Sequence, residues 1–415
     1  MALKAEIITI GDEILFGQTL DTNSHWISGE LDQLGIRIIR KVTIPDERQV
    51  ILDSFAIAAS RADLILITGG LGPTNDDLTK PCLAEYFGVD MSINEEALNE
   101  LTEMFARSGR ELTELNRAQA LQPIGAQKIT NKLGTAPGIW MEKDHTIFIS
   151  MPGVPFEMKG MMTDYILPEL KRRYVKKELL HKIVRTVGIP ESMLAAKLES
   201  WESMLPEHIK LAYLPSLGQV KLRLTAEGNA VRMLEKEIDE QIEKCLPLIE
   251  KYVYGYGNTD LEEVVGEMLR KREFTLACAE SCTGGYLSHL LTSIPGSSAY
   301  FKGSYVTYAN EVKSAALDID PELIKQKGAV SEEVVSAMAE NIRKKLGTTY
   351  GVGISGVAGP GGGTEEKPVG MVWIAVSDEQ NTWAKQLVFT KTRKLNIQLS
   401  AVVALNMIRR KMIDC

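Results

Sequence analysis

The chain has 415 residues and a formal net charge of −8, so as a whole it lacks the positive charge with which proteins hold a nucleic-acid backbone. Its hydrophobic content of 44% and charged content of 25% are ordinary for a globular protein, and its length predicts two or three domains. No run of about 18 apolar residues occurs, which excludes a membrane-spanning helix.

The five cysteines are few, odd in number and scattered, at positions 82, 245, 278, 282 and 415. This usage argues against a disulfide framework and for a reducing compartment. The first residues lead directly into an apolar stretch, without the apolar core and cleavage site of a signal peptide. We therefore expect a cytoplasmic protein.

Residues 1–173 alternate between strand and helix patterns. Apolar runs at 6–10, 36–44 and 63–68 predict strands, and apolar residues at helical spacing between them predict covering helices. Continuous apolar strands are typical of parallel sheets covered on both faces. The pattern predicts an open, doubly wound α/β sheet that binds ligands at the carboxyl ends of its strands.

Residues 174–255 change to a β-α-β-β-α pattern, which predicts a small α+β module, and we interpret 252–258 as the linker that follows it. Residues 256–415 form a third, α/β unit. Its predicted strands lie near 274–279, 301–307, 350–355, 370–377 and 383–389.

The most informative motif of the third unit is the segment 279–285, where an apolar run, small hydroxylic residues and two glycines precede helical spacing. A strand, a sharp turn and a helix are predicted, with the Ser281 hydroxyl at the carboxyl end of the strand. The N–H groups near Thr283, Gly284 and Gly285 would then favour an anion or a developing oxyanion. Alternatively, Ser281 or Thr283 merely caps the helix.

Three other side chains of this unit are candidates for chemistry. Lys313 would act as the base for Ser281 if burial or a nearby cation lowers its pKa, whereas a solvated helix lysine is the alternative interpretation. Cys282 is the second candidate nucleophile, but no histidine is obviously placed to activate it. Arg393, at the start of the last helix, is suited to clamp a phosphate or a carboxylate.

The first unit has a candidate site in the segment 69–79. Gly69, Gly70 and Gly72 let backbone N–H groups approach a phosphate, and Asp76 and Asp77 supply hard oxygen ligands for a divalent cation. A glycine turn whose aspartates cap the next helix is the alternative. Three further loops are expected to converge on the same crevice, namely 11–13, 131–138 and 151–158.

These motifs together resemble the CinA family, competence/damage-inducible protein A, over essentially the whole chain. The matching strings are 11–15, 69–79, 134–138 and 152–158 in the first unit, and 279–285, 308–313 and 354–361 in the third. The resemblance implies a molybdopterin-binding-like domain of the ADP-ribose pyrophosphatase type at 1–173, a KH-like module at 174–255, and a CinA C-terminal nicotinamide-nucleotide amidase domain at 256–415.

The resemblance also implies two activities. The C-terminal domain would hydrolyse the carboxamide of nicotinamide mononucleotide to nicotinate mononucleotide and ammonia without a cofactor, in pyridine-nucleotide recycling. The N-terminal domain would split the pyrophosphate of ADP-ribose with a divalent metal ion. A homodimer is expected, without a membrane partner. RNA binding is not expected, because 188–191 lacks the second glycine of the KH clamp.

The resemblance assigns roles residue by residue. Ser281 would attack the amide, Lys313 would take its proton with help from Tyr308, and the Ser298 hydroxyl would join the turn N–H groups around the oxyanion. The substrate-binding residues would be Glu280, Thr283, Gly284, Gly285, Ser355 and Arg393 in the amidase site, and Gly69, Gly70, Gly72, Thr74, Asn131, Thr135 and Glu157 in the N-terminal site. Asp76 and Asp77 would bind the metal.

The chain departs from the family pattern at two places. The stretch 390–393 keeps the arginine but lacks the acid before it, and Ser355 stands where the family has threonine. Both departures concern the contacts to phosphate and ribose rather than the nucleophile. The alternative function is a regulatory or scaffold protein whose two folds bind nucleotides without turnover.

Overall fold

The structure, a computed structural model, describes residues 3–74, 76–107, 109, 111–175 and 178–414. Asn75 of the glycine segment and Cys415 lie outside the described residues. The chain divides into two compact units. The first holds the described residues up to Leu180 together with Glu227–Leu234, and the second holds His181–Ala226 and the described residues from Glu235 onward.

The first unit is built on strands that alternate with helices. The strands are β1 (Lys4–Ile10), β2 (Arg37–Ile44), β3 (Leu64–Thr68), β4 (Met91–Ile93), β5 (Leu121–Pro123), β6 (Gln127–Ile129), β7 (Gly138–Lys143) and β8 (Thr146–Met151). The helices are α1 (Asp12–Leu15), α2 (Thr22–Gln33), α3 (Arg48–Ala59), α4 (Thr79–Phe87), α5 (Glu95–Arg107), α6 (Glu114–Arg117), α7 (Pro155–Met161) and α8 (Leu167–Tyr174).

The main sheet has the order β2-β1-β3-β8-β7-β6, and β4 pairs with β5 separately. The first four strands run parallel, and β7 and β6 are antiparallel additions. Because side chains alternate between faces, Ile7 and Leu66 pack into one core and Ile8 and Ile65 into another. Because β1, β3 and β8 run parallel, the loops that follow them leave the same edge of the sheet.

The rest of the chain continues with a small sheet and a larger one. The strands are β9 (Glu178–Val187), β10 (Ile209–Ser216), β11 (Gln219–Gly228), β12 (Val253–Tyr256), β13 (Leu276–Glu280), β14 (Phe301–Val306), β15 (Tyr350–Gly356), β16 (Met371–Ser377) and β17 (Thr382–Val388). The helices are α9 (Glu191–Glu202), α10 (Val231–Ile249), α11 (Leu261–Lys271), α12 (Tyr286–Thr292), α13 (Asn310–Leu317), α14 (Pro321–Lys327), α15 (Glu332–Leu346) and α16 (Arg393–Asp414).

The small sheet has the order β10-β11-β9-β12 and corrects one prediction. The stretch 252–258, interpreted from the sequence as a linker, contains β12, which pairs antiparallel with β9. Tyr254 anchors this strand, because its ring is buried and its hydroxyl donates to Gln219 Oε1 at 2.5 Å. The glycines of this stretch favoured the interpretation as a linker, whereas pairing with β9 and the contact to Gln219 stabilise a strand.

The larger sheet has the order β14-β13-β15-β16-β17, and each of its strands lies within two residues of its predicted bounds. Central β13 runs parallel to β14 and β15, while β16 and β17 are antiparallel. Helix α15 approaches β15 so closely that a side chain at Gly351 would overlap the Ala339 carbonyl. The predicted α/β fold class, with its small α+β module, is confirmed.

Two further features bear on the class of protein. Within the described ranges, no helix is both long and apolar enough to cross a bilayer. The cysteines at 82, 245, 278 and 282 are all buried and unpaired.

Candidate active sites

The strand–turn–helix segment after β13 places Ser281 beside Lys313. The Lys313 ammonium, on the first turn of α13, lies 3.0 Å from Ser281 Oγ. It also donates to the backbone carbonyls of Thr307 at 2.8 Å and Tyr308 at 3.3 Å. Because β13 and β14 are parallel neighbours, the residues that follow them meet at one edge of the sheet. The sequence predicted both side chains, and the fold brings them into contact.

Burial sets the charge state of the groups around this pair. Lys313 is 1% exposed, and burial lowers the pKa of its ammonium from the ordinary value, although Cys282 and Glu311 act in the opposite sense. Burial raises the pKa of the Cys282 thiol to about 12, so cysteine is the weaker nucleophile at neutral pH. This contrast favours Ser281 over Cys282.

Glu280, predicted to bind substrate, instead satisfies the start of α12. Its side chain is fully buried, and one carboxylate oxygen accepts the Gly285 and Leu287 N–H groups, each at 3.1 Å. The other oxygen accepts the Ser288 N–H at 2.9 Å and its hydroxyl at 2.5 Å. The first turn of a helix presents unpaired N–H donors, and here the chain's own carboxylate takes them.

The predicted oxyanion cradle is therefore partly occupied by the protein itself. The Gly285 N–H is bonded to Glu280, and the Gly284 N–H donates to the Ser281 carbonyl at 3.1 Å. Both glycines have positive φ, which gives the turn its tight shape. Gly284 and Gly285 thus give the turn its shape, and their N–H groups are engaged within the protein in this conformation. Of the predicted backbone donors, the Thr283 N–H stays the candidate for the oxyanion.

The structure does not bring Ser298 to this site. Ser298 lies on the 3₁₀ turn Ser297–Ala299, which precedes β14, whereas Ser281 follows β13. In the parallel register Leu276 pairs with Phe301, so Ser298 lies beyond the amino ends of the strands. The length of β13 separates the two serines, about 16 Å for five residues.

Arg393 and Tyr308 form the exposed rim of the site. One guanidinium nitrogen of Arg393 donates to the Tyr308 hydroxyl at 2.8 Å, and the other donates to the Gly359 carbonyl at 2.9 Å. Both side chains are largely exposed, so they can change partners without leaving a buried group unpaired. The pair offers a cationic fork and a phenol beside the Ser281–Lys313 contact.

Ser355 and Thr283 lie deeper in the wall. Ser355, the penultimate residue of β15, is 1% exposed and donates its hydroxyl hydrogen to the Ala329 carbonyl at 2.6 Å. Its hydroxyl thus lacks a free hydrogen for a phosphate in this conformation. The hydroxyl of buried Thr283 has no hydrogen-bond partner within the described residues. Of these two predicted contacts, only the Thr283 hydroxyl is without a partner among the described residues.

The N-terminal candidate begins with the glycine loop after β3. Gly69 and Gly70 have positive φ, and a side chain on Gly69 would overlap the Ile10 carbonyl at the end of β1. Thr79, the first residue of α4, donates its hydroxyl to the Gly69 carbonyl at 2.8 Å. Gly69 is therefore required by the close approach of two strand ends, and a side chain at Gly70 would overlap the Thr79 hydroxyl.

Asp77 holds the second half of this loop. One of its oxygens accepts the Gly72 N–H at 2.8 Å, and the other accepts the N–H and the hydroxyl of Thr74 at 2.8 and 2.5 Å. Both oxygens and the Thr74 hydroxyl are thus engaged within the loop. This geometry gives Asp77 a structural role in addition to the predicted metal contact, and Asp76 lies beside it with an exposed side chain.

A cavity of about 590 Å³ lies next to this loop. Of the residues predicted for the N-terminal site, Gly69, Gly70, Gly72, Asp76, Asp77, Thr135 and Glu157 line it. Asn131 and Thr74 do not line the cavity, but each bonds to a residue that does. Asn131 donates to Glu157 Oε2 at 2.6 Å and to the Ala136 carbonyl at 3.0 Å. The sequence thus predicted most of the lining, and Asn131 positions it.

The cavity is strongly acidic. Glu13 and Asp46 also line it, and the Asp12 N–H donates to Asp46 at 3.2 Å. Burial raises the pKa of Asp46 above its ordinary value, and the charges of Asp12, Glu13 and Asp76 add to the rise. Mutual repulsion among these carboxylates would be relieved by a bound cation.

The donor set fits a divalent cation only in partnership with a ligand. Among the described residues, no group of three or more His, Cys, Asp or Glu side chains converges on one metal position. Mg²⁺ at phosphate sites commonly takes one or two carboxylates and completes its shell with substrate oxygens and water. Asp76, with Glu13 and Asp46 nearby, supplies carboxylates of that kind.

Comparison with known proteins relates all three parts of the chain to one family. Family models match as the CinA C-terminal domain over 258–412, the damage-inducible protein CinA KH domain over 181–255, and a probable molybdopterin binding domain over 6–172. A CinA-like protein of Cytophaga hutchinsonii is 48% identical over 410 residues, which cover 99% of this chain and 98% of the relative. The chain belongs to the CinA family.

The chain is also similar to other proteins that carry the CinA name. A CinA-like protein of Flavobacterium psychrophilum is 41% identical over 413 residues, covering 99% of each chain. A crystal structure of a CinA protein from Thermoplasma acidophilum, described as having unknown function, is 32% identical over 42% of this chain and 99% of that chain, with a TM-score of 0.38.

Two residues that support the candidate site of this CinA chain were not predicted from the sequence. Asn396 is 1% exposed on α16, and its amide donates to the Ala358 and Thr390 carbonyls at 2.9 and 3.0 Å while accepting from Thr390. It thus ties the loop that holds Arg393 to the loop after β15. Thr307 was missed because its carbonyl, not its side chain, orients Lys313. The sequence around Asn396 and Thr307 gives only a weak signal for these two roles, because each depends on hydrogen bonds to other segments of the chain.

Proposed function

We propose that this chain hydrolyses the carboxamide of nicotinamide mononucleotide to nicotinate mononucleotide and ammonia. The observation that carries the proposal is the contact of Lys313 Nζ with Ser281 Oγ at 3.0 Å, with Lys313 buried and Ser281 at the edge of the sheet. A hydroxyl beside a buried amine is an arrangement suited to acyl transfer. The substrate follows from the family resemblance.

In the acylation step, Ser281 Oγ attacks the carboxamide carbon and its proton passes to Lys313 Nζ. The carbonyl π electrons move to the oxygen, which the Thr283 N–H helps to hold. The C–N bond then breaks, and Lys313 returns the proton to the leaving nitrogen. Ammonia departs, and nicotinate remains as an ester of Ser281.

In the deacylation step, water attacks the ester carbon and gives its proton to Lys313. The C–O bond to Ser281 then breaks, and Lys313 returns the proton to Ser281 Oγ. The Thr307 and Tyr308 carbonyls hold Lys313 in place through both steps. The amide, one water and the two products balance without a redox partner or a metal ion.

The exposed rim supplies a recognition group for the nucleotide phosphate. Arg393 presents a planar fork that matches phosphate oxygens, and its present partners are a phenol and a backbone carbonyl. Ser355, whose hydrogen is engaged by Ala329, contributes shape in this conformation. The missing acid at 390–393 is consistent with a site that binds the phosphate through the arginine.

We further propose that the N-terminal cavity splits the pyrophosphate of ADP-ribose with a divalent ion. The supporting observation is a glycine loop bordering a cavity of about 590 Å³ that is rich in hard oxygen ligands. Asp76 would hold the ion together with phosphate oxygens and water, and the ion would neutralise phosphate charge when bound. Asp77 keeps the loop in shape.

The amidase proposal is tested by ammonia release from nicotinamide mononucleotide, with wild type, Ser281→Ala and Ser298→Ala compared. We expect release by wild type, loss of at least about a thousandfold in Ser281→Ala, and little change in Ser298→Ala. Ser298→Ala is the matched control because its hydroxyl lies at the other end of the sheet. Equal rates in wild type and Ser281→Ala would remove Ser281 as the nucleophile.

Binding distinguishes the enzyme from a scaffold. Ser281→Ala retains nucleotide affinity in either case, but only an enzyme has a wild-type turnover to lose. A well-folded wild type that binds the nucleotide and releases no ammonia would favour the scaffold interpretation.

The N-terminal proposal is tested by AMP formation from ADP-ribose with Mg²⁺ or Mn²⁺, using Asp76→Asn beside wild type. We expect metal-dependent AMP formation that is strongly reduced in Asp76→Asn, with ammonia release unchanged. We also propose a homodimer, which light scattering on the purified chain would check.

A further inference from the structure

Asn396 is a buried amide that lies one turn after Arg393 on α16. It is 1% exposed, whereas the Arg393 side chain is exposed. Residues three apart on a helix are neighbours, so the two side chains leave the helix close together. Because Asn396 is shielded from solvent, it acts on a substrate only through a residue that the substrate can reach.

The Asn396 side chain uses all of its hydrogen-bonding capacity. Its Nδ2 donates to the Ala358 and Thr390 carbonyls at 2.9 and 3.0 Å, and its Oδ1 accepts the N–H and the hydroxyl of Thr390 at 3.0 and 2.9 Å. The Thr390 hydroxyl also accepts the Thr392 N–H at 3.0 Å. A side-chain amide offers two donors and two acceptor sites, and a fully satisfied buried polar group makes the segments that it joins rigid.

The bonds of Asn396 hold Arg393 from two sides. On one side they fix Thr390, from which the chain enters α16 at Arg393. On the other side they fix Ala358, and the carbonyl of the next residue, Gly359, accepts from the Arg393 guanidinium at 2.9 Å. Asn396 thus fixes both the backbone that carries Arg393 and the backbone that its guanidinium contacts.

The second guanidinium nitrogen of Arg393 faces an exposed partner. It donates to the Tyr308 hydroxyl at 2.8 Å, and Tyr308 is 59% exposed. The backbone carbonyl of Tyr308 accepts from Lys313, which contacts Ser281, so the guanidinium lies at the rim of the proposed reacting pair. Arg393 therefore has one nitrogen anchored on buried backbone and another that a ligand can reach.

We propose that Asn396 is a positioning residue for phosphate recognition in the amidase site. It holds Arg393 in the orientation that binds the nucleotide phosphate, and so it sets substrate affinity without touching the substrate. The inference rests on the proposed hydrolysis of nicotinamide mononucleotide. A guanidinium fork binds phosphate in a defined direction, so a change in its orientation weakens the contact. The phosphate is remote from the carboxamide, so its contact is equally strong before and during the reaction and affects KM rather than kcat.

The first test measures ammonia release from nicotinamide mononucleotide by the full chain, with wild type, Asn396→Ala and Asn406→Ala compared. We expect KM to rise about tenfold in Asn396→Ala while kcat stays within about twofold of wild type. Asn406→Ala should leave both constants unchanged. It is the matched control because it removes the same amide from the same helix, about 15 Å further along, where Asn406 accepts from Arg409.

The second test asks whether Asn396 acts through Arg393. In a double-mutant cycle, Asn396→Ala should lower kcat/KM about tenfold in the wild-type chain and less than about twofold in the Arg393→Ala chain. An equal loss in both backgrounds would show a structural role that is independent of Arg393 and would overturn the inference. An Arg393→Ala chain with the kcat/KM of wild type would also overturn it.

A milder variant keeps the inference testable if Asn396→Ala does not fold. Thr390→Val removes the hydroxyl that donates to Asn396 and keeps the backbone N–H, at a position that is partly exposed. KM should rise about threefold in Thr390→Val, and this rise should disappear in the Arg393→Ala background. If Asn396→Ala does not fold, a folded Thr390→Val chain with the KM of wild type would overturn the inference.

The inference and the proposed function fail in different ways. Ammonia release by wild type, with the same KM in wild type and in folded Asn396→Ala, would overturn the inference and leave the amidase proposal intact. A loss of kcat in Asn396→Ala without a change in KM would overturn the inference as well. No ammonia release by wild type would overturn both.

Discussion

The turn after β13 and the turn after β3 are built in the same way and prepared for different chemistry. In each, a buried strand runs into a glycine turn before a helix, and an internal carboxylate accepts the N–H groups of the segment, Glu280 in one and Asp77 in the other. A glycine turn at a strand end is therefore not by itself a free anion cradle. The chain's own acid can already occupy it.

What differs is the set of groups around each turn. Beside Ser281 a buried lysine already contacts the proposed nucleophile, so this side-chain pair is formed without a ligand. Beside Asp76 the cavity collects carboxylates, whose mutual repulsion a bound cation would relieve. The proposed amidase site thus relies on a side-chain pair that is already formed, whereas the proposed N-terminal site is completed only when a cation and its ligand bind.

The largest effect is expected from removing the base of the preformed pair. Lys313→Met should lower kcat for ammonia release by about a hundredfold to ten-thousandfold, because Ser281 then has no proton acceptor in contact. Lys313→Arg should be equally impaired, since a guanidinium does not deprotonate at working pH. Lys325→Met, which changes an exposed side chain on α14, is the control and should leave kcat unchanged. An active Lys313→Arg would show that another group takes the proton.

Removing the carboxylate that occupies the helix start should mainly affect stability. Glu280→Gln leaves one acceptor oxygen for four donors and places an amide hydrogen among them, at a cost of about 2–3 kcal/mol. Urea unfolding measures the loss. Glu267→Gln, on an exposed face of α11, should cost less than about 0.5 kcal/mol. Equal effects of the two changes would contradict the capping role.

The corresponding change in the N-terminal loop should act on one site alone. Asp77→Ala frees the Gly72 and Thr74 N–H groups, so the loop loses its shape and affinity for ADP-ribose should fall about tenfold. Titration measures the affinity, and ammonia release serves as the internal control because it should stay unchanged. A parallel loss of ammonia release would show that the two sites are not independent.

The smallest effect concerns the charge state of Lys313. Burial lowers its pKa and only the neutral amine accepts a proton, so kcat should rise with pH until that pKa is passed and then level off. The Glu311 charge raises this pKa, so Glu311→Gln should move the rise to lower pH without changing the plateau. The pH profile of kcat, with Glu322→Gln as control, measures the shift. A rate that falls as pH increases would contradict the role of Lys313.

Local pattern was sufficient for much of the molecule. Runs of apolar residues predicted β1, β2 and β3 and the strands of the five-stranded sheet, because burial on both faces imposes apolar side chains at successive positions. Ser281, Lys313 and the glycine loop were also predictable, since each lies in a segment that follows the carboxyl end of a strand in its own sheet. The family resemblance then joined these segments into a single interpretation.

Other roles were decided only by packing across the chain. Glu280 and Asp77 have the composition of ligand-binding acids, and only the folded turns show their oxygens engaged by neighbouring N–H groups. Ser298 has the right hydroxyl but lies at the wrong end of a parallel strand. Sequence by itself determined which chemical groups are available and at which strand ends. Tertiary structure decided which of them remain free, because hydrogen-bond partners distant in sequence compete for the same donors and acceptors.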